Sequence, residues 1–86
     1  MRLAIPGARS LKEKRQALRS IKDRLRARYN VSAAEVDKQD LWQVAVLGVS
    51  AVGTDRAIVE SALNSVVRLA RQSRGVLVSG AEKEFV

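Results

Sequence analysis

Residues 31–52 read VSAAEVDKQDLWQVAVLGVSAV and contain two strand-like segments on either side of a polar turn. Val31–Val36 is short and rich in small and β-branched residues, and Leu41–Val52 is the longest strand signal in the chain. The four residues between them, Asp37-Lys38-Gln39-Asp40, favour a turn. This stretch therefore predicts two consecutive strands in the middle of the chain.

A helix is predicted on the N-terminal side of these strands. Ser10 and Glu13 have the spacing of a capping box, in which the serine side chain accepts from the Glu13 amide and the glutamate reaches back. We expect the helix to run from there to about Tyr29, with Asn30 as its C-terminal stop.

A second helix is predicted on the C-terminal side. Gly53-Thr54-Asp55 ends the preceding strand and caps this helix, and Gly75 closes it. Apolar residues between these points follow helical spacing: Ile58, Val59, Ala62, Leu63, Val66 and Ala70.

Two short strands are predicted at the ends of the chain. Arg2–Ile5 forms the first and stops at Pro6-Gly7, and Val76–Val78 opens the last, with Phe85-Val86 considered as an extension beyond Gly80. The element order is then β-α-β-β-α-β. This order predicts a single α+β domain over residues 1–86, of ferredoxin-like architecture: a four-stranded antiparallel sheet with both helices on one face.

The residue types missing from the chain exclude several kinds of chemistry. There is no cysteine, which removes disulfides, thiolate chemistry and Cys-ligated zinc, and no histidine, which removes the commonest general base. We therefore expect no metal and no cofactor. Met1–Pro6 lacks the apolar core of a signal peptide, and no apolar run approaches the ~20 residues of a membrane helix. A cytoplasmic location is expected.

The loop before the first helix is the best candidate for a catalytic site. In residues 6–10, PGARS, Arg9 and the helix amides favour an anion. Acylphosphatases of this fold hold a phosphate in such a loop and use an asparagine on a neighbouring strand, but Asn30 ends one helix and Asn64 lies in the other. We expect no enzymatic activity, and a small-molecule sensing domain of the same topology ranks below a binding module.

The positive charge is confined to one third of the chain. Residues 1–30 contain ten Lys and Arg against two acids, a net charge of +8, so the net +7 of the whole chain leaves −1 for the other 56 residues. Such an asymmetry predicts an anionic partner, with RNA and acidic proteins the leading classes.

The first helix separates on a wheel into two neighbouring edges. The apolar edge, expected to face the sheet, consists of Leu11, Leu18, Ile21, Leu25 and Tyr29. Beside it lie five cations at spacings of three and four, here called the basic stripe: Lys12, Arg15, Arg19, Lys22 and Arg26. They span ~21 Å of helix, and Asp23 is the one acid near enough to pair with them. Lys14, Arg24 and Arg28 fall at or within the other margin of the apolar edge. The basic stripe and Arg9 are the predicted nucleic-acid contacts, unless these cations serve only as solvated helix formers.

The second strand of the central pair is apolar on both sides, since Val44 and Val46 alternate with Ala45 and Leu47. Two helices cover only one side of a sheet. We expect a second copy to cover the other side, with Trp42, Val44 and Val46 in the dimer interface. The alternative is a mildly apolar surface that solvent tolerates.

Three segments resemble one family. IPGARSLKEKR (residues 5–15), NVSAAEV (30–36) and QDLWQ (39–43) are similar to the YlxP-like family of small bacterial proteins, across essentially the whole chain. The resemblance implies a ferredoxin-like fold, a bacterial source and a gene neighbourhood shared with translation initiation and ribosome-binding factors. It implies no activity, because the family is a domain of unknown function. Family members have several more residues before Arg2, so we expect either an abbreviated first strand or a misplaced start codon.

These observations favour a non-enzymatic module that binds structured RNA or a ribosomal surface. The sheet offers few aromatic rings for stacking bases, namely Trp42 and Phe85, so phosphate contact is expected without base readout. The alternative is a homodimeric adaptor whose basic edge docks an acidic protein.

Overall fold

The fold is described for residues 1–85 by a computed structural model. Two helices and four strands follow one another in the predicted order. Their bounds are β1 Arg2–Ala4, α1 Leu11–Arg28, β2 Ser32–Asp37, β3 Val44–Ser50, α2 Arg56–Arg71 and β4 Leu77–Gly80.

The strands form one antiparallel sheet in the order β2-β3-β1-β4. Each helix follows one strand and precedes the strand two places away in the sheet, which is the ferredoxin-like connection. The predicted fold class is confirmed. Within residues 1–85, no helix has the length and apolar character needed to cross a membrane.

The core lies between the helices and one face of the sheet. On the strands, Leu3 stands opposite Ala45 in the register, and both are fully buried. Leu18, Ile21 and Leu25 of α1 pack on this face together with side chains of α2. The apolar edge predicted for the first helix is thus the edge that packs on the sheet, with Leu11 and Tyr29 half-buried at its two ends.

Both helices begin at the predicted caps. Ser10 Oγ accepts from the Glu13 amide at 3.1 Å, and the Glu13 carboxylate accepts from the amide of Arg9. At the second helix, Asp55 Oδ1 accepts from the amides of Ala57 and Ile58. The first helix ends at Arg28, one residue before the predicted end, because Tyr29 has extended backbone angles.

The third strand is shorter than the predicted Leu41–Val52. Lys38 O accepts from the Leu41 amide at 3.1 Å, which keeps residues 38–41 in the turn. At the other end the ladder stops at Ser50, opposite Ser32, the first residue of β2. The register also shifts between Glu35 and Asp37, which marks a bulge in β2.

The extension of the last strand by Phe85-Val86 is wrong for Phe85, and Val86 lies outside the described residues. The chain leaves the sheet after Gly80 and follows α2 instead. Lys83 Nζ donates to Asn64 Oδ1, and the Arg56 guanidinium stacks 4.4 Å from the centre of the Phe85 ring. These contacts with the helix hold the tail away from the sheet.

Candidate anion-binding surface

The basic stripe lies on the outer edge of α1. Four of its five members are exposed and Lys22 is half-buried, while the neighbouring apolar edge is buried along its middle and half-buried at its two ends. A single helix face therefore carries all five positive charges into solvent at intervals of one turn. Their role as phosphate contacts stays a prediction.

Contact with an acid does not neutralise the basic stripe in residues 1–85. The ion pairs there join Arg2 to Glu82, Lys14 to Glu35 and Lys83 to Glu60. Asp23, the acid closest in sequence, lies on the exposed surface of the helix and is not within 4.0 Å of a stripe cation. Since like charges three and four residues apart on a helix repel, an anionic ligand would stabilise this edge.

The C-terminal end of the basic stripe lies against the edge strand β2. Arg26 Nη2 donates to the carbonyl oxygen of Ala33 at 2.6 Å. Farther along the strand, Gln39 Nε2 donates to the carbonyl oxygen of Glu35 at 3.3 Å. An edge strand offers such carbonyls to another strand, and these side chains occupy them. The arrangement fixes Arg26 and discourages pairing through this edge.

Lys14 has a different place from the stripe lysines, although it lies between two of them in sequence. Its side chain is fully buried, although the sequence places it only at or within the margin of the apolar edge and does not predict its burial. Nζ donates to the carbonyl oxygens of Lys38 and Leu41, each at 2.6 Å. It also lies 2.6 Å from Glu35 Oε2, an ionic contact whose angles fall outside those of a hydrogen bond. Lys14 therefore ties α1 to the β2–β3 turn and is not available to a ligand.

The loop before α1 is held by its own side chains. Gln43 Nε2 donates to the carbonyl oxygens of Pro6 and Ala8, and the amide of Arg9 is bonded to Glu13. The Glu13 carboxylate thus lies beside the helix N-terminus and occupies the Arg9 amide, one of the donors that an incoming phosphate would otherwise find there. The exposed Arg9 side chain remains the one predicted contact in this loop.

The fold places further arginines beside α1 that the count of charges along the sequence did not reveal. The C-terminal half of α2 lies beside that of α1, where Arg24 Nη2 donates to Ser73 Oγ at 2.7 Å. Arg28 and Arg68, one from each helix, line a hollow of about 190 Å³. The charge balance of −1 for residues 31–86 conceals this cluster, because the acids that offset it lie elsewhere. The sequence contains a sign of it, because Arg68 and Arg71 lie in the last turn of the second helix and Arg74 follows shortly after.

The face of the sheet turned away from the helices is open, and we call it the open face. The predicted interface residues Trp42, Val44 and Val46 are 54% exposed, 41% exposed and half-buried, respectively. At one end of this face the Met1 ammonium donates to the carbonyl oxygen of Leu47 at 2.7 Å. Burial lowers the pKa of this ammonium, the nearby charge of Arg2 lowers it further, and Glu82 opposes both.

Residues 1–82 match the model of a family described as a protein of unknown function, DUF503. The chain belongs to the DUF503 family. This DUF503 chain is similar to a protein of Bacillus subtilis (strain 168) named Uncharacterized protein YlxP, with 42% identity over 60 residues. The aligned part is 70% of this chain and 65% of that protein, just under two thirds of its length. The predicted resemblance to YlxP-like proteins is confirmed.

Proposed function

We propose that this DUF503 chain is a non-enzymatic module that binds structured RNA through the phosphates, with the basic stripe as its contact surface. The observation that supports the proposal is the row of five solvent-facing cations that no acid contacts within residues 1–85. Phosphate contacts supply most of the affinity of sequence-independent nucleic-acid binding. The proposal includes a cytoplasmic location.

The regular spacing of the stripe favours a nucleic acid over an acidic protein. Successive stripe residues are three or four positions apart, which is ~4.5–6 Å along the helix axis. A strand of RNA offers a phosphate at every nucleotide and so presents a similarly continuous row of charge, whereas a folded acidic surface presents scattered carboxylates with cations between them. Arginine also binds phosphate oxygens in a bidentate manner, and three of the five cations are arginines.

The mode of binding that we propose is contact with the RNA backbone, without recognition of bases. RNA-binding proteins of this topology stack bases on aromatic side chains of the sheet. Here Trp42 is the exposed ring near the open face, and the ring of Phe85 is covered by Arg56. We choose ribosomal RNA as the test ligand because the YlxP-like resemblance implies a gene neighbourhood shared with translation factors.

A charge-reversal experiment tests the proposal. The variant R15E/R19E/K22E removes three consecutive stripe cations. The control K38E/R56E/K83E has the same net charge but changes exposed cations outside the stripe and outside the arginine cluster of the two helices. Binding to a structured fragment of ribosomal RNA is measured by fluorescence anisotropy. We expect the stripe variant to lose at least about a hundredfold in affinity, and the control less than about fivefold.

Two results would contradict the proposal. Equal losses in the two variants would mean that net charge alone attracts RNA. Unchanged binding by the stripe variant would mean that the basic stripe is not the contact surface. A stripe-dependent complex with an acidic protein that survives nuclease, with no stripe-dependent RNA binding, would assign the stripe to the adaptor function instead.

A further inference from the structure

The open face of the sheet is the main surface that the proposed RNA contact leaves unused. It turns away from the helices and the basic stripe. Next to Val44 in the register lie Ala4 of β1 and then Leu77 of β4, which is 61% exposed. Val36 of β2, 60% exposed, continues this apolar surface toward the other edge. A contiguous apolar surface of this kind is typical of a protein interface.

One row of residues across this face carries opposite charges on opposite sides of a valine. In the register, Val46 of β3 stands between Asp37 of β2 and Arg2 of β1. Neighbouring strands are ~4.8 Å apart, so the two charged residues lie at similar distances from Val46. They line a hollow of about 340 Å³, together with Lys38 and Glu82. Arg2 and Asp37 therefore flank Val46 with opposite charges. Each lies near a second residue of the opposite sign, Glu82 on the side of Arg2 and Lys38 on the side of Asp37.

We propose that a second copy of the chain covers the open face, related to the first by a twofold axis parallel to β3 that runs between the two sheets. A half-turn about this axis exchanges the two sides of the charged row. Arg2 of each copy then lies over the partner's Asp37, so two ion pairs form in each dimer. Val44 and Val46 meet their own counterparts at the axis. The strands of the two sheets run in nearly the same direction, as in aligned β-sandwiches.

The charge balance of the open face identifies the occupant as a second copy. The charged side chains around the hollow comprise two bases and two acids, and the Met1 ammonium adds one positive charge, on a chain whose net charge is +7. RNA would gain little from this nearly balanced surface while the basic stripe is exposed elsewhere. The row Arg2–Val46–Asp37 has a positive end and a negative end that exchange under a half-turn, so it is complementary to itself, which a twofold interface requires.

One edge of the sheet gives further support to face-to-face contact. Two copies could instead join through their β2 edges, but Arg26 and Gln39 occupy carbonyls along this strand. In one subunit, Arg2 lies across Gly80 with Nη2 3.9 Å from Glu82 Oε1, and both side chains are mostly exposed. A contact this long and exposed contributes little, so it does not compete with a less exposed pair across the interface. The face is roughly 20 Å on a side, which is small for a dimer, so we expect the association to be weak and to depend on protein concentration.

The test is sedimentation equilibrium of the full chain over a range of concentrations. We expect the mass to rise toward twice the 9.4 kDa of the subunit. V44E places two carboxylates beside the axis and should produce a monomer, whereas V52E changes a residue that is 93% exposed outside the face and should leave the dimer intact. R2D and D37R should each weaken the dimer by at least about tenfold, because each creates two pairs of like charge.

The decisive measurement is the sedimentation equilibrium of an equimolar mixture of the variants R2D and D37R. In the proposed arrangement both charged pairs are restored in the mixed dimer, so the mixture should associate as strongly as the unaltered chain. The charge swaps change exposed side chains, and circular dichroism checks that each variant folds. A monomer up to roughly 0.5 mM, a dimer that V44E leaves intact, or a mixture that stays monomeric would each overturn the proposal. The stripe variant R15E/R19E/K22E should remain dimeric, so this test and the RNA test fail separately.

Discussion

At the scale of single residues, Lys14 shows that chemically identical side chains take different roles in different environments. Lys12 and Lys14 are two residues apart on one helix, yet the first is exposed and the second is fully buried. The buried ammonium is compensated by Glu35 and by the carbonyl oxygens of the β2–β3 turn. A buried charge is tolerated when its partners replace the water that it has lost. Lys14 thus stabilises the turn, while the side chain of Lys12 remains exposed to solvent.

The substitution K14M is therefore expected to destabilise the protein strongly. It leaves the Glu35 carboxylate in the interior without its cation, and breaking a buried pair from one side costs about 3–5 kcal/mol. The control K12M removes an exposed lysine and should change the free energy of unfolding by less than about 0.5 kcal/mol. Urea denaturation followed by circular dichroism measures both. If K14M proves as stable as K12M, the Lys14–Glu35 contact does not hold the turn.

The sequence indicates only part of this arrangement. Lys14 falls at or within the margin of the apolar edge on the helical wheel, a position that is compatible with its burial but does not predict it. Its partner is not predicted either, because whether Glu35 faces the helices depends on the strand register, and a shift by one residue reverses every side chain. The bulge after Glu35 likewise arises from pairing with β3, which a single strand does not reveal.

At the scale of elements, α1 combines two edges with opposed requirements. Its buried edge packs on the sheet, and its outer edge holds like charges that repel one another. A helix selected for stability alone would alternate acids and bases on that edge. We infer that the basic stripe lowers the stability of the helix and is kept for ligand binding, as is common for functional surfaces.

The substitution R15E should consequently stabilise the unbound protein. A glutamate at this position has Arg19 four residues ahead and Lys12 three residues behind, and each such pair contributes roughly 0.2–0.5 kcal/mol. The free energy of unfolding should rise at low salt, the gain should shrink at high salt, and RNA binding should weaken. Urea denaturation at two salt concentrations provides the comparison. A loss of stability at low salt would show that the stripe cations do not repel one another significantly.

The type and order of the helices and strands are predicted well from the sequence. The residues at which the strands end are predicted less well. The capping residues Ser10 and Asp55 are local signals, and both helices begin where these residues predict. Strand ends depend on the length of the partner strand, so β3 is shorter than its apolar pattern suggests. The tail at Phe85 lies on α2 through long-range contacts that no local pattern contains.

At the scale of the whole molecule, charge is segregated between two surfaces. The basic stripe lies on the outer edge of the helical layer, and the open face of the sheet is apolar with nearly balanced charges at its rim. RNA and a second copy of the chain would thus occupy different surfaces and would not compete. The fold brings Arg24, Arg28 and Arg68 together on the helical layer, which extends the basic surface beyond the predicted stripe.

The salt dependence of RNA binding tests the proposed function most directly. If the five stripe cations each neutralise a phosphate, the logarithm of the association constant should fall with the logarithm of the salt concentration, with a slope of about −4. The variant R15E/R19E/K22E should reduce the magnitude of this slope by at least about 2, while K38E/R56E/K83E should leave it nearly unchanged. A slope near zero for the unaltered chain, or an equal reduction in both variants, would contradict phosphate binding by the basic stripe.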